Sequence, residues 1–394
     1  MKNNDFSLFC LSASVIFFAS CSALSPNDPG AEASQNTWNL PLDPFPTKPR
    51  VTFNKDGTLK LTVFSDLHYG ENPWDDWGPE QDKNSTRLIK RILAEEKPDF
   101  AIINGDLVTG ENTFRANVTQ LLDQIVGPFN LARVPFTATY GNHDNQGNIT
   151  HFEEILHLQK ASRYAYVRSS PAGVGGEGGQ GNYWVPIYHT PQDNNPVLIL
   201  WFFDSRGGVY PNPESNKAMP DWVDSTVGPW IEGEVIKMEA AWGPSTDRAA
   251  LAFVHIPPHA IQAVQSKVNA QTNPGLNDDK LGSGSVQDSA AVDNDGPFWD
   301  SLTSNIKNLR AIISGHDHGN EWCAREPTKN VIFCFNKHSG YGGYDSAGWG
   351  HGVRNLLFRT PEPTASVETW IRLEEGEERA RVTLDDKYDS TTNH

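Results

Sequence analysis

The sequence predicts an α/β protein, because short apolar runs alternate with segments in which apolar residues recur at helical spacing. The helical segments are 86–96, which Asn84 and Ser85 precede as possible capping residues, and 118–126. The apolar runs have the character of buried strands and lie at 59–64, 100–103, 135–140, 197–203, 250–254 and 309–313. Strands that alternate with helices favour a sheet with helices packed on its faces.

The ends of the chain differ in composition from the part between them. Residues 1–25 predict a signal peptide, because Lys2 precedes an uncharged apolar run that ends in small residues. A signal anchor and lipid attachment at Cys21 are the alternatives. We expect a flexible arm at 26–50, one folded domain at 51–372 and a solvated acidic tail at 373–394. The leader predicts a secreted protein, or one in a secretory-pathway lumen such as the vacuole.

The cysteines and the asparagine sequons agree with export. Removal of the leader would leave only Cys323 and Cys334, and a lone pair in an oxidising compartment predicts one disulfide. Three sequons predict N-glycosylation, at Asn84, Asn117 and Asn148.

The charge balance limits the partners. Among 394 residues, 32 Lys and Arg stand against 49 Asp and Glu, a net charge of -17. Phosphate-backbone binding depends on Lys and Arg, so nucleic acid is not expected as the main partner. No later segment is apolar enough for a stable membrane span. The oligomeric state is not predicted.

Polar residues of similar chemistry follow five of the predicted strands. Ligands of open α/β sheets collect beyond the carboxyl ends of the strands, so these side chains are expected to converge. Glycine precedes three of them and permits tight turns there. The set is too large for one ion and suits two ions that share a carboxylate. Its members are Asp66, His68, Asp106, Asn142, His143, His255, His316 and His318.

This series resembles the calcineurin-like metallophosphoesterase superfamily, whose pattern is D-x-H, G-D, G-N-H-[DE], a downstream His and G-H-x-H. Segments 105–110 and 337–344 are similar to non-purple, single-domain relatives of purple acid phosphatases. Thr109 stands where the purple enzymes have a tyrosine ligand, and His68 stands where they have no histidine. The resemblance implies the metallophosphoesterase fold for 51–372, a four-layer αββα sandwich of two mixed sheets flanked by helices.

The resemblance also implies a role for each residue of the series. Two divalent or trivalent ions (Mn, Fe or Zn) are expected, with Asp106 as the bridging ligand. His143 is expected to face the leaving-group oxygen as the catalytic residue, and His259 is a rival to His255 as a ligand. The first ion would be held by Asp66, His68, Asp106 and His318. The second would be held by Asp106, Asn142, His255 and His316.

The implied function is secreted hydrolysis of small phosphate monoesters by attack of a metal-bound hydroxide. A phosphodiesterase on the same scaffold and a non-catalytic, secreted metal-binding protein are the alternatives. Trp74 and Trp77 could form a wall of the cleft, and the irregular segment 265–296 is either a loop over the site or surface disorder. The expected substrate contacts are Asn142, His143, His338 and Arg206. The alternatives are a residue that supports the metal ligands or a plain loop residue for His338, and a surface salt bridge for Arg206.

Overall fold

The structure is a computed structural model that describes residues 42–211, 217–290 and 292–390. The predicted signal peptide and residues 26–41 of the predicted arm lie outside this range. The helices are α1 (Trp77–Glu96), α2 (Val118–Ala132), α3 (His151–Ala161), α4 (Val227–Trp242), α5 (Gln262–Gln265) and α6 (Gly296–Asn305). The strands are β1 (Val51–Thr52), β2 (Leu59–Phe64), β3 (Phe100–Asn104), β4 (Phe136–Thr139), β5 (Tyr183–Tyr188), β6 (Leu198–Phe203), β7 (Ala249–Val254), β8 (Leu309–Ser314), β9 (Cys323–Glu326), β10 (Val331–Phe335), β11 (Gly352–Phe358), β12 (Val367–Leu373) and β13 (Glu378–Leu384).

These strands form two mixed sheets. The seven-stranded sheet has the order β1-β5-β6-β7-β8-β10-β9, and the six-stranded sheet has the order β13-β12-β11-β2-β3-β4. Strands β2, β3 and β4 are mutually parallel, as are β6, β7, β8 and β10. The remaining pairs are antiparallel, apart from β1 with β5. Both sheets therefore present several strand carboxyl ends at one edge.

Helices cover the outer faces of the two sheets. Strand β6 shows the layering, because its alternate side chains belong to two different cores. Leu198, Leu200 and Phe202 pack in the core that contains the six-stranded sheet and α1, α2 and α3. Ile199, Trp201 and Phe203 pack with apolar residues of α4 and α6. This arrangement confirms the predicted four-layer sandwich.

The predicted strands are all present, within one or two residues at each end. Helix α1 differs, because it begins at Trp77, and Asn84 and Ser85 lie inside it and do not cap it. Residues 77–85 are mostly polar, so the apolar period does not reveal this first part of the helix. Helix α2 continues through Pro128 to Ala132, beyond its predicted end at 126. The irregular segment 265–296 is confirmed among its described residues, between α5 and α6.

The predicted arm and tail are both wrong in part. Phe45 is only 8% exposed and its ring lies 5.3 Å from that of Tyr166, so the end of the arm is packed. Within the tail, Glu378–Leu384 is β13, which pairs with β12. Ala380 and Leu384 are buried while charged residues of the same strand face outward, so a charge-rich composition conceals an edge strand.

The predicted disulfide is present between Cys323 and Cys334, which lie opposite each other on β9 and β10. A bridge that closes a loop of this size stabilises the folded state by about 2–4 kcal/mol. It fixes the edge of the seven-stranded sheet beside β8, the strand that leads to His316. It also agrees with an oxidising compartment.

The three sequon asparagines have different surroundings. Asn84 lies within α1 and Asn117 directly precedes α2. Asn148 donates through its amide nitrogen to the carbonyl oxygens of Gly110 and Thr113, at 3.1 and 2.7 Å. A glycan on that nitrogen would disrupt at least one of these hydrogen bonds, so Asn148 is the least suitable acceptor of the three.

The described residues include no helix of the length and apolar character needed to cross a membrane.

Candidate metal centre

The polar residues that follow the parallel strands converge from both sheets. Ligand atoms of Asp66, His68 and His318 lie within 4.8 Å of one another, and so do those of Asp106, His255 and His316. The two groups adjoin, because His68 Nε2 lies 3.7 Å from Asp106 Oδ2 and His255 Nε2 lies 3.8 Å from Asp66 Oδ1. The structure therefore brings together the residues that the sequence predicts for two neighbouring ions.

Asn104, at the end of β3, joins the two sheets beneath these groups. Its amide nitrogen donates to the carbonyl oxygen of Ile313 on β8 at 3.1 Å. Its own carbonyl oxygen lies 2.8 Å from His255 Nδ1. The relative position of Asp106 and His255 is thus set by hydrogen bonds, as well as by packing between the sheets.

Each of the four imidazoles is oriented by a partner outside the cluster. His255 Nδ1 lies against Asn104, His316 Nε2 lies 2.7 Å from the carbonyl oxygen of Gly284, and His318 Nδ1 lies 2.6 Å from that of Tyr344. A carbonyl oxygen only accepts, so these nitrogens carry the hydrogen. The other nitrogen of each ring points into the cluster, as metal-binding histidines require.

His68 obtains the same orientation from side chains. Its Nδ1 lies 3.1 Å from Thr109 Oγ1, and that hydroxyl donates to Glu71 Oε2 at 2.5 Å. The hydroxyl hydrogen is committed to Glu71, so His68 Nδ1 is the donor and His68 Nε2 is free of hydrogen. Thr109, at the position of the tyrosine ligand of the purple enzymes, thus orients a ligand here.

Several polar atoms of the cluster are buried without a hydrogen-bond partner, namely His68 Nε2, Asn142 Oδ1, His255 Nε2 and His316 Nδ1. His255 Nε2 lies 2.9 Å from Asp106 Oδ2, but without the direction of a hydrogen bond. Unpartnered buried polar atoms destabilise a fold by about 1–3 kcal/mol each. Nitrogen and oxygen lone pairs that converge in this way fit a cation.

The charges of the cluster also favour a bound cation. Burial lowers the pKa of His68 to about 3 and that of His316 to about 4, so both rings are neutral. Burial raises the pKa of Asp66 to about 6, with Asp106 adding to the rise. Asp66 and Asp106 are each 1% exposed. Two buried carboxylates side by side require positive charge between them.

The charges of Asp106 and His255 offset each other only in part. Burial raises the pKa of Asp106, but the nearby His255 and His143 outweigh this and hold it well below its usual range. Burial lowers the pKa of His255, whereas Asp106 and Asp66 raise it to about 10. A cation bound by these residues would take the place of the His255 proton, so binding would release a proton.

The backbone is strained at the candidate ligands. Asp66, His68, Asp106 and His316 have φ values of 52°, 48°, 51° and 73°, in the left-handed region that residues with a Cβ seldom adopt. Strain of this kind costs on the order of 1–3 kcal/mol per residue and concentrates at functional sites. The sequence gives no direct sign of it.

Glycine is required at two positions of the series because side-chain atoms of the candidate ligands lie very close to its α carbon. A Cβ on Gly141 would lie 2.2 Å from Asp106 Oδ1, and a Cβ on Gly105 would lie 2.3 Å from His255 Nδ1. Both distances are far shorter than a van der Waals contact. The sequence predicts these glycines for tight turns, and Gly105 has the positive φ of such a turn, 85°. Gly141 does not, and the reason for glycine there is the room that the candidate ligands need.

His143 is partly accessible, with 32% of its side chain exposed. Its backbone N–H donates to Asp106 Oδ1 at 2.9 Å, and its Nδ1 lies 2.6 Å from Glu111 Oε1. Burial lowers the pKa of His143, but Asp106 and Glu111 outweigh it and raise the pKa to about 9. The ring is therefore protonated at neutral pH.

Three residues around the site were not singled out as functional by sequence reasoning: Glu71, Glu111 and Tyr344. Glu71 and Glu111 are common acidic loop residues, and their partners His68 and His143 are known only once the fold is known. Gly284 lies within the irregular segment 265–296, and it confirms that this segment reaches the site.

The burial of Arg206 and His338 does not support their predicted contacts with substrate. The alternative for His338, a contact with a predicted metal ligand, agrees with its position beside His318. Arg206 is 4% exposed, and its guanidinium donates to the carbonyl oxygen of Trp222 at 2.8 Å and to Asp224 Oδ2 at 3.1 Å. The salt bridge considered as its alternative is therefore present, though buried. The His338 side chain is fully buried behind His318, with ring centroids 5.0 Å apart.

Three other predicted residues lie outside the two ligand groups. The side-chain atoms of His259 group with those of Asp288 and Asp295, so its rivalry with His255 is not supported. Trp74 and Trp77 are 63% and 48% exposed on the segment that follows His68. A role for the two tryptophans in the cleft wall remains a prediction.

The geometry agrees with comparisons to known proteins. The chain is 27% identical over 350 residues to "probable inactive purple acid phosphatase 14" of Arabidopsis thaliana, which covers 83% of each protein. It is 26% identical over 339 residues to the phosphatase DCR2 of Saccharomyces cerevisiae, covering 82% of this chain and 55% of that protein.

A solved structure shows the same fold at low sequence identity. The structure of a dimetal phosphatase from Danio rerio aligns with 84% of this chain and 100% of its own, with a TM-score of 0.51 and 12% identity. The family model for calcineurin-like phosphoesterases matches residues 59–320, about two thirds of the sequence. This chain belongs to the calcineurin-like phosphoesterase family, and the relatives it matches include proteins named as purple acid phosphatases.

Proposed function

We propose that this protein is a binuclear metal-dependent hydrolase of phosphate monoesters. The observation that carries the proposal is the orientation of four imidazoles, each of which binds a partner outside the cluster through one nitrogen and directs the other nitrogen toward two buried carboxylates. A purely structural cluster would satisfy those nitrogens with hydrogen bonds. Members of the family use a dimetal centre, and the donor atoms here match one.

The donors divide into two sets that share Asp106. Asp66, His68 and His318 would hold the first ion, and His255 and His316 the second. Asn142, whose buried Oδ1 has no hydrogen-bond partner, would complete the second set. Asp106 Oδ2 lies 3.7 Å from His68 Nε2 and 2.9 Å from His255 Nε2, which places the carboxylate between the sets. Imidazole, amide and carboxylate donors without a thiolate suit Mn, Fe or Zn.

The ions, when bound, would polarise the phosphate and activate water for attack. The chain's own contribution is to hold the donors and to move a proton. Glu111 accepts from His143 Nδ1, which orients the ring and leaves Nε2 as its second donor. A protonated His143 next to Asn142 is suited to protonate the leaving oxygen of the ester.

The substrate class and the compartment rest on other features. A net charge of -17 favours small esters over polyanions, and the named relatives are phosphatases, which supports monoesters over diesters. The Arabidopsis relative is named probable inactive, but this chain has every residue of the proposed site, which supports activity over metal binding alone. The predicted leader and the disulfide support secretion.

The direct test is hydrolysis of p-nitrophenyl phosphate against bis-p-nitrophenyl phosphate, with and without chelator. The monoester is expected to be hydrolysed faster, and complete removal of metal should abolish both reactions because the site loses its charge balance. A faster diesterase reaction would select the alternative on the same scaffold. Hydrolysis that persists without metal would overturn the proposed mechanism.

Two single substitutions separate metal binding from proton transfer. Asn142→Ala should lower both activity and metal content, because it removes a proposed ligand oxygen. His143→Ala should keep the wild-type metal content and lose activity about 10²–10⁴-fold, as removal of a general acid does. Equal metal loss in the two variants, measured by elemental analysis, would refute the role given to His143.

Glu111→Gln tests whether the protonated form of His143 is the active form. Loss of the carboxylate should lower the pKa of His143 below the value of about 9 that Asp106 and Glu111 together produce. His143 is active as an acid only while protonated, so kcat should begin to fall at a lower pH than in the wild type. An unchanged pH profile would argue against His143 as the proton donor.

Thr109→Val tests the orientation of His68. The substitution keeps the side-chain volume but removes the oxygen that accepts from His68 Nδ1, so metal affinity should fall by about 10- to 100-fold. Thr109→Ser retains the oxygen and should remain close to wild type. Metal titration monitored by calorimetry would distinguish them, and equal affinities in all three proteins would contradict this role.

A further inference from the structure

A second cluster of metal-ligating side chains lies beside the proposed dimetal centre. Donor atoms of His338, Asp345 and His351 fall within 4.8 Å of one another. All three residues lie on the irregular segment between β10 and β11. The clustered side chains include none of the residues assigned to the two ions.

His338 presents an unpartnered nitrogen to this cluster. Its Nδ1 lies 3.0 Å from the carbonyl oxygen of His318, so this nitrogen carries a hydrogen. In the neutral ring Nε2 is then a bare lone pair, and it is buried without a hydrogen-bond partner. It faces Asp345 Oδ1 at 3.5 Å. A lone pair directed at a carboxylate is repulsive unless a cation lies between them.

His351 faces the other oxygen of the same carboxylate. Its Nε2 lies 3.5 Å from Asp345 Oδ2, and its ring stacks on that of Tyr341 with centroids 3.8 Å apart. Zn–N and Zn–O bonds of about 2.1 Å in a tetrahedral site place neighbouring ligand atoms about 3.4 Å apart. Both observed separations match that spacing, and His338 Nε2 makes no hydrogen bond to the carboxylate.

The cationic side chain next to His338 in sequence has partners elsewhere. Lys337 is fully buried, and its Nζ lies 3.2 Å from Glu321 Oε1 and 3.3 Å from the carbonyl oxygen of His318. Arg379 also pairs with Glu321, and among the described residues the side chains that pair with Asp345 are His338 and His351. Asp345 is 43% exposed, which gives a metal ion a route from solvent to the cluster.

We propose that His338, Asp345 and His351 bind a third divalent cation of the zinc class. Two imidazoles and one carboxylate form a three-ligand set for zinc, with the fourth position open to water on the exposed side of Asp345. The ring of His338 stacks on His318 and binds its carbonyl oxygen, so this ion would also hold a ligand of the first ion in place. The proposal does not depend on the hydrolytic activity.

Zinc stoichiometry of the purified full chain tests this site. After removal of metal and dialysis against Zn²⁺, the wild type is expected to hold one equivalent more than His351→Gln. His157→Gln is the matched control, because His157 also pairs with an aspartate, Asp123 at 2.8 Å, outside any candidate cluster. It should retain the wild-type stoichiometry. Equal zinc content in His351→Gln and the wild type would overturn the proposal.

A second variant covers the case in which His351→Gln misfolds. A parent protein without the bridging ligand makes the test independent of the dimetal centre. Asp345→Asn removes the partly exposed ligand and should lose the same single equivalent if His351→Gln fails to fold. Asp106→Asn disables the bridging ligand of the dimetal centre, and His351→Gln added to it should still remove one equivalent. No further loss in that double variant would refute the third site, whatever the fate of the dimetal centre.

Discussion

Two carboxylates, Asp66 and Asp106, are buried side by side among four imidazoles, and this concentration of charge is the constraint on which the surrounding structure depends. Each carboxylate is 1% exposed, and the imidazoles that face them are turned by outside partners so that one nitrogen points into the cluster. Without a cation, such a cluster would cost free energy in desolvation, repulsion and unmade hydrogen bonds. The strained backbone at four of its residues adds to that cost. The metal pair proposed for this site would account for all of these features together.

The fold supplies the positions and the loops supply the orientations. Parallel strands from two sheets end at the same edge, and Asn104 fixes the two sheets to each other there. Loop residues then hold the rings: Thr109, Gly284 and Tyr344 each bind the nitrogen that faces away from the cluster. A similar arrangement surrounds His338, which donates to the carbonyl oxygen of His318 through one nitrogen and presents the other nitrogen to Asp345.

Much of the site was predictable from sequence, because its donors follow apolar strands directly and strand carboxyl ends must converge. The orienting partners were not, since Glu71 and Glu111 bind their histidines only through the fold. His351 matches no motif, and its contacts with His338 and Asp345 depend on the position of β11 in the fold. Strand β13 was missed because its charged outer face dominates its composition. Substrate contacts of Arg206 and His338 are not supported, because a chemically suitable side chain can be buried against other partners.

The central claim is that Asp106 bridges two ions held by imidazoles of fixed orientation. Anomalous diffraction from crystals of the metal-loaded protein tests it most directly. The account predicts two ions about 3.5–4 Å apart with Asp106 between them. His68, His255 and His318 should bind through Nε2, and His316 through Nδ1. A single ion, or a pair that Asp106 does not contact, would contradict it.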